Sequence, residues 1–256
     1  MIIKLLSEKV VAYSNQIKMI LESEFSHSET HNKLKKLERS GKVKSLPKEF
    51  NNIGYKWYYL ASTSDNKAIK AIQKTEGILK KYHVFTHDRR FFLNNIQYND
   101  YSEYLVEQSF LAAGFRVLAM ETNYFNGKTV TLGGERGPGK TLDFIIMKPS
   151  SSVFIGVQVK NRFESPNQED FTQLKTLCEG LELKPMMVCR VCEPRFFIPM
   201  KEVGGRIIVF KRQLLQPDFD REYFDKMNDL GILIGIYREA PDFLIKLLKR
   251  YFRMFK

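Results

Sequence analysis

Asp143, Gln158 and Lys160 have the types and the spacing to do chemistry together. They fall within Thr141–Arg162, where two β-rich runs, Leu142–Met147 and Val153–Val159, flank a Lys-Pro-Ser-Ser-Ser connection, the pattern of a hairpin. Asp143 lies near the start of the first run, and Gln158 and Lys160 lie at the end of the second. Alternation along a strand puts Gln158 and Lys160 on one face and Val157 and Val159 on the other. A carboxylate, an amide oxygen and an ammonium can then converge at one end of the hairpin. Oxygen ligands of this kind suit a hard divalent cation such as Mg2+ or Mn2+, and the ammonium can stand beside an attacking water or a scissile phosphate.

Other motifs compete for attention. Gly134–Thr141 matches G-x-x-x-x-G-K-T, the phosphate loop. That motif works only where a helix follows, because the helix N-terminal amides cradle the phosphates. A strand follows here, so a P-loop ATPase is the third-ranked reading. The stretch reads better as a Gly-rich loop delivering Asp143, with Arg136 and Lys140 placed for DNA phosphates. Cys189 and Cys192 have the spacing of a metal knuckle but no second pair, and all four histidines precede residue 90. Buried cysteines fit that pattern better than zinc. His83 and His87 stand four apart without a third ligand and are read as surface or junction residues.

The elements that must position these residues follow from length and charge. The chain has 256 residues and a net charge of +12, which points to a polyanionic partner. Residues 1–65 carry +4, residues 66–99 carry +5 and residues 237–256 carry +4, whereas residues 100–236 come to −1. Basic flanks around a carboxylate-bearing middle suit an enzyme of DNA whose own metal site is acidic. Helical patterns are expected at Ile2–Lys9, at Asn15–Ser23 with Ser14 as N-cap, and from near Ser28 to Gly41. Strands are expected at Lys42–Lys44 and Lys56–Leu60, and a Lys-rich helix at Asn66–Tyr82. A helix at Tyr101–Ala113 ends at Gly114 and leads into a strand at Phe115–Met120. Beyond the hairpin come a helix to about Gly180, strands at Pro185–Cys192 and Arg206–Phe210, a helix at Glu222–Leu230 and a short strand at Ile232–Tyr237. The last helix, Pro241–Phe255, has one apolar side, expected to pack on the body of the protein or across a dimer rather than on a membrane.

Asp143 followed by Gln158-Val159-Lys160 resembles the signature of the PD-(D/E)XK nuclease superfamily, an Asp on one strand and an acid-x-Lys on the next. Gln stands here where most members carry Glu, and the Gln-x-Lys form looks like the Mrr-type restriction endonuclease branch. Archaeal Holliday-junction resolvases share the layout. The resemblance implies an α-β-β-β-α-β core, a metal bound by Asp143, Gln158 and the Val159 carbonyl, and Lys160 acting on the attacking water. It also implies a metal-facing Glu on the first core helix. Glu103 meets the family spacing to Gly114-Phe115, and Glu107 is the reserve. Gln173, on the helix after the hairpin, could face the site, and Arg162 would touch DNA.

The N-terminal quarter is similar to a winged helix-turn-helix, with its L-x-x-L-E-x-x-G-K-V closing phrase at Leu34–Val43. That likeness makes the third helix a reader of the DNA major groove, with Lys33, Lys36 and Arg39 outward and Lys42 and Lys44 beside them. Trp57, Tyr58 and Tyr59 would permit a dimer or partner interface instead.

The expected architecture is therefore α/β: a winged helix-turn-helix at 1–62, a basic helical linker at 63–99, a restriction-endonuclease-like core with a mixed sheet flanked by helices at 100–236, and a basic amphipathic helix at 237–256. The expected activity is Mg2+- or Mn2+-dependent cutting of DNA. The alternative is a catalytically inactive DNA-binding regulator that has lost the acid at position 158. Met1–Leu6 is too short for a signal segment and no run spans a bilayer, so a cytoplasmic, nucleoid-associated homodimer without membrane contact is expected.

Overall fold

Apolar residues at helical spacing make Ile2–Lys9 the first helix, α1, with Ile2, Leu5 and Leu6 buried. The computed structural model describes residues 1–22, 24–50, 53–87, 98–132, 140–149, 151, 153–162, 165–217 and 221–252, with backbone alone at 49–50, 53–55, 81–87 and 98–100. These residues belong to two units, Met1–Phe91 with Phe219–Ile234, and Phe92–Asp218 with Gly235–Lys256.

In the first unit α1 leads through β1 (Val11–Tyr13) and α2 (Ser14–Ile20) to α3 (His27–Arg39). Ser26 caps α3 in a reciprocal box with Glu29, which satisfies two amide donors the helix start would leave open. Tyr13, not Ser14, occupies the cap position of α2, because Ser14 is already helical. The hairpin β2 (Val43–Phe50) and β3 (Ile53–Leu60) joins β1 in an antiparallel sheet of order β1-β3-β2. β2 is longer than the expected three residues and contains Pro47, which an edge strand tolerates. Leu6, Ala12, Ile17, Leu34, Val43 and Tyr58 pack between helices and sheet. Each fully buried Leu, Ile or Val among them contributes roughly 1.5–3 kcal/mol. Trp57, Tyr58 and Tyr59 are all buried, so they form core rather than the partner surface their types suggested.

The expected linker corresponds to α4 (Asp65–His87), which is part of the first unit, with Ala68 and Ile72 buried. The side chains of His83 and His87 lie outside the described residues.

The second unit begins with α5 (Tyr98–Ala113), which Gly114 ends at φ 96°. Then come β4 (Arg116–Thr122), the short hairpin β5 (Tyr124–Phe125) and β6 (Lys128–Thr129), and the hairpin β7 (Leu142–Met147) and β8 (Phe154–Lys160). α6 (Gln168–Gly180) leads to β9 (Lys184–Cys189), a 3-10 turn at Pro194–Phe196, α7 (Phe197–Glu202), β10 (Arg206–Val209) and β11 (Gln213–Leu215). β9 stops at Cys189, short of the expected Cys192. α8 (Arg221–Asp229) belongs to the first unit, where the Gln16 amide donates to the Leu230 carbonyl at 2.7 Å. The expected 100–236 core is therefore interrupted by this excursion. β12 (Ile234–Ile236) pairs with β11, and α9 (Asp242–Phe252) closes the described chain.

The five-stranded sheet has the order β10-β9-β8-β7-β4. β7 pairs antiparallel with β4 and with β8, while β8, β9 and β10 run parallel. One face, with Phe144, Ile146, Ile155, Val157 and Val159, is covered by α5 and α9. The other, with Ile145, Met187 and Ile207, is covered by α6 and the segment around Phe196 and Met200. The terminal helix therefore packs on its own unit, as its apolar side required.

Candidate functional site

The site grows from the point where the hairpin ladder stops. β7 pairs with β8 only as far as Phe144 opposite Val157, although it stays paired with β4 to Leu142 opposite Thr122. Where the next hairpin pair would lie, the Asp143 carboxylate takes the place of the backbone. Its Oδ2 accepts from the Val159 amide at 2.5 Å and its Oδ1 accepts from the Gln158 side-chain amide at 2.7 Å. Lys160 ends the same strand and its ammonium is close enough to pull the Asp143 pKa down. Burial outweighs that pull and both hydrogen bonds, so the carboxyl is lifted from 3.8 to about 6. Asp143 is thus a desolvated acid beside a lysine, a combination that clusters at functional sites.

Asp143, Gln158, Val159 and Lys160 are brought together as the sequence required. Glu103 is half-buried on α5, which covers the sheet face opposite to Gln158 and Lys160, and Glu107 shares that helix. Gln173 is exposed and donates to Glu169 on its own helix at 2.8 Å. Lys160 approaches Asp170 at 4.0 Å, and Arg162 pairs with the same carboxylate. Lys140 is exposed and its amide closes onto the Leu132 carbonyl at 3.1 Å, framing the Gly-rich stretch, whose residues 133–139, including Arg136, lie outside the described residues. Thr141 runs directly into β7, so the helix a phosphate loop needs is not there.

Two features escaped the sequence reading. Glu121 lies between the β4–β7 pairs Met120–Phe144 and Thr122–Leu142, which sets it across from Asp143, and its charge helps raise that acid's pKa. Its φ of 45° is a left-handed backbone that no sequence signal announces. The second feature is a basic edge. Three parallel strands end side by side, so Lys160 at the end of β8, Arg162 just beyond it and the exposed Lys211 and Arg212 after β10 share one border of the sheet. Fully buried Arg190 ties that border together, donating to the Arg162 and Lys211 carbonyls, each at 3.3 Å.

In the first unit, Lys33, Lys36, Arg39 and Lys42 are exposed on and just after α3. Lys33 stands over the Phe25 ring at 4.5 Å. Lys44 is paired with Asp65 at 3.0 Å and is the least free of the five for a phosphate.

Asp143, the Gln158 amide oxygen and the Val159 carbonyl are hard oxygen donors. Among the described residues no three His, Cys, Asp or Glu side chains cluster as a metal cage. The donor set therefore fits a cation that keeps several of its own waters, as Mg2+ does, better than one needing an all-protein cage. A hydrogen bond with Cys192, together with burial, holds the Cys189 thiol well above its usual range, and burial pushes Cys178 up to about 12. A cavity of about 440 Å3 lies elsewhere, between α6 and α7. Among the described residues no helix is long and apolar enough to cross a membrane.

The chain matches no family model, no curated protein and no solved structure.

Proposed function

We propose that the second unit is the cutting core of a metal-dependent DNA endonuclease of the PD-(D/E)XK kind, and that the first is a winged helix-turn-helix that holds the DNA. The observation that carries this reading is the Asp143 carboxylate bonded to Gln158 and Val159 at the strand end that Lys160 completes. The order helix, three antiparallel strands, helix, strand in α5-β4-β7-β8-α6-β9 supports it, as does the order α1-β1-α2-α3-β2-β3 for the first unit.

Asp143, Gln158 and the Val159 carbonyl would hold Mg2+ or Mn2+, which supplies Lewis acidity and lowers the pKa of a bound water. The protein's own share is positioning and charge. Lys160 holds the attacking water and faces the charge that builds on the phosphate oxygens. Asp143 is kept ionised for binding by the Val159 amide and the Lys160 ammonium, against the pull of burial. Lys211 and Arg212 line up phosphates along the strand-end border, while Lys33, Lys36, Arg39 and Lys42 grip the backbone from the first unit. A second copy of the chain would supply the second cut of a duplex.

One observation favours a second reading, an inactive DNA-binding regulator. Gln158 brings no charge, and its amide nitrogen is turned toward Asp143. Incubating the full-length chain with supercoiled plasmid and four-way-junction DNA decides between the two. Nicked or linear product with Mg2+ or Mn2+ and none with EDTA supports the endonuclease. Tight DNA binding without cutting under every cation supports the regulator.

A further inference from the structure

Cys189 and Cys192 take no part in the candidate site, yet they end the strand that lies beside it. In the parallel ladder Cys189 stands opposite Lys160. β9 stops at Cys189, the chain bends at Arg190, and Cys192 comes back within hydrogen-bond reach of Cys189. A strand that ran straight on would carry residue 192 about 10 Å from residue 189. The bend removes that separation, and it is held from both sides. The Arg190 amide donates to the Lys160 carbonyl at 3.1 Å, and its buried side chain donates to the Arg162 and Lys211 carbonyls. Beyond Cys192, the Glu193 amide donates to Ser165 Oγ at 3.0 Å. A backbone tied at both ends therefore keeps the two sulfurs as neighbours.

The pair is also unequal. Cys189 is buried, whereas Cys192 is partly exposed and its thiol donates to the Glu193 carbonyl at 3.5 Å. A dissolved disulfide can reach Cys192, and Cys189 stands behind it. Arg190 and Arg162 lie close enough for their charge to favour a thiolate at Cys189, against the burial and the hydrogen bond that oppose one. Metal is the other use of such spacing, and it needs more ligands than two sulfurs. Among the described residues no three His, Cys, Asp or Glu side chains group together. Cys178, the remaining cysteine, is buried on α6, where its thiol donates to the Gly156 carbonyl at 3.7 Å.

We propose that Cys189 and Cys192 form a dithiol–disulfide site that exchanges with a low-molecular-weight disulfide such as oxidised glutathione. The Cys192 thiolate attacks one sulfur of the dissolved disulfide. That S–S bond breaks, and one small thiolate leaves and takes up the proton that Cys192 gave up. Cys189 then gives up its own proton and attacks the Cys192 sulfur, and the second small thiol leaves with that proton. Two protein thiols are oxidised and one small disulfide is reduced to two thiols, so no other oxidant is needed. Excess reduced glutathione runs the exchange backwards. None of these steps draws on the proposed endonuclease activity.

The test uses the full chain carrying Cys178→Ala, equilibrated without denaturant in glutathione buffers from reduced to oxidised. Free thiols are then trapped with maleimide on unfolding, and the intact mass is measured. The expected result is two maleimides in reducing buffer and none in oxidising buffer, with no glutathione retained. Excess reduced glutathione should return both thiols. Trypsin cuts after Arg190, between the two cysteines, so the peptides on either side of that bond should stay joined until a reductant is added. The chain with Cys178 in place should lose the same two thiols and keep the third. Adding Cys189→Ser should leave one glutathione on Cys192, because no second thiol expels it. Adding Cys192→Ser should slow the oxidation of Cys189 by at least about tenfold. Glutathione held on Cys192 while Cys189 stays free would overturn the site, as would a cross-link between two chains. So would closure only in urea, or two thiols that survive in oxidising buffer.

Discussion

Replacing Asp143 by Asn should make the protein more stable above neutral pH while removing the proposed DNA cutting. The carboxyl titrates near 6 in the fold, against an ordinary 3.8, because burial disfavours its charge. The sign follows from linkage. Below about 3.8 both states are protonated and the group costs nothing; as pH rises toward 6 the unfolded chain ionises first, and native stability falls. At about 1.4 kcal/mol per pH unit that interval is worth roughly 3 kcal/mol. Residual exposure of Asp143 trims the figure, leaving roughly 1–2 kcal/mol. Asn is an isostere of the neutral acid. Its Oδ1 can accept from the Val159 amide, and its Nδ2 can donate to Gln158 once that amide turns over, so neither hydrogen bond need be lost. Urea melts of both proteins at pH 4 and pH 8 read the effect as a difference of differences, which cancels other titrating groups. The variant should equal the wild type at pH 4 and exceed it by roughly 1–2 kcal/mol at pH 8, and Mg2+ should narrow the gap by stabilising the wild type alone. A variant that is less stable at pH 8, or a gap that does not change with pH, would refute the desolvated-carboxyl reasoning.

Gln158→Glu adds the acid that most of the resembled family carries. Without metal it sets two carboxylates together and should destabilise at pH 8. With Mg2+ the cation should bind about tenfold tighter by calorimetry, and cutting should be kept or raised. Lys33→Ala, Lys36→Ala and Arg39→Ala together should weaken DNA binding and flatten the plot of log affinity against log salt by roughly one unit for each lost phosphate contact, measured by anisotropy titration. Gly156→Ala would place a methyl 2.5 Å from Cys178 Sγ and 2.8 Å from a Leu142 methyl, so denaturation should show a loss of about 1–3 kcal/mol from overpacking, largely recovered by adding Cys178→Ala.

The hairpin could be read from sequence because alternation and the Lys-Pro-Ser-Ser-Ser turn are local signals, and the Asp143 to Lys160 site came with it. The third helix was legible as well, although its capped start lies at Ser26 and Glu29, just ahead of the expected start near Ser28. What was not legible is what only tertiary structure decides. β1 is three residues long, too few to show a period, and exists because β3 offers it an edge. Residues 219–234 read as part of the second unit because they follow it in sequence, but Gln16 and Ile20 of the first unit receive Leu230 and Gly231. Lys211 and Arg212 look like ordinary surface charges until parallel β8, β9 and β10 bring their ends to one border. Glu121 depends on a strand register and a left-handed φ, neither of which leaves a mark in the residue types around it.

In the proposed endonuclease Lys160 is the residue that would turn a metal-binding edge into a cutting one. Its most direct measurement is single-turnover cleavage of a labelled duplex in Mg2+, with protein in excess, by the wild type and by Lys160→Met, alongside the affinity of each for the same DNA in Ca2+. The expected result is a loss of at least about 100-fold in the cleavage rate with affinity held within about threefold. Cleavage by Lys160→Met at the wild-type rate, or a loss no larger than the loss in affinity, would contradict it.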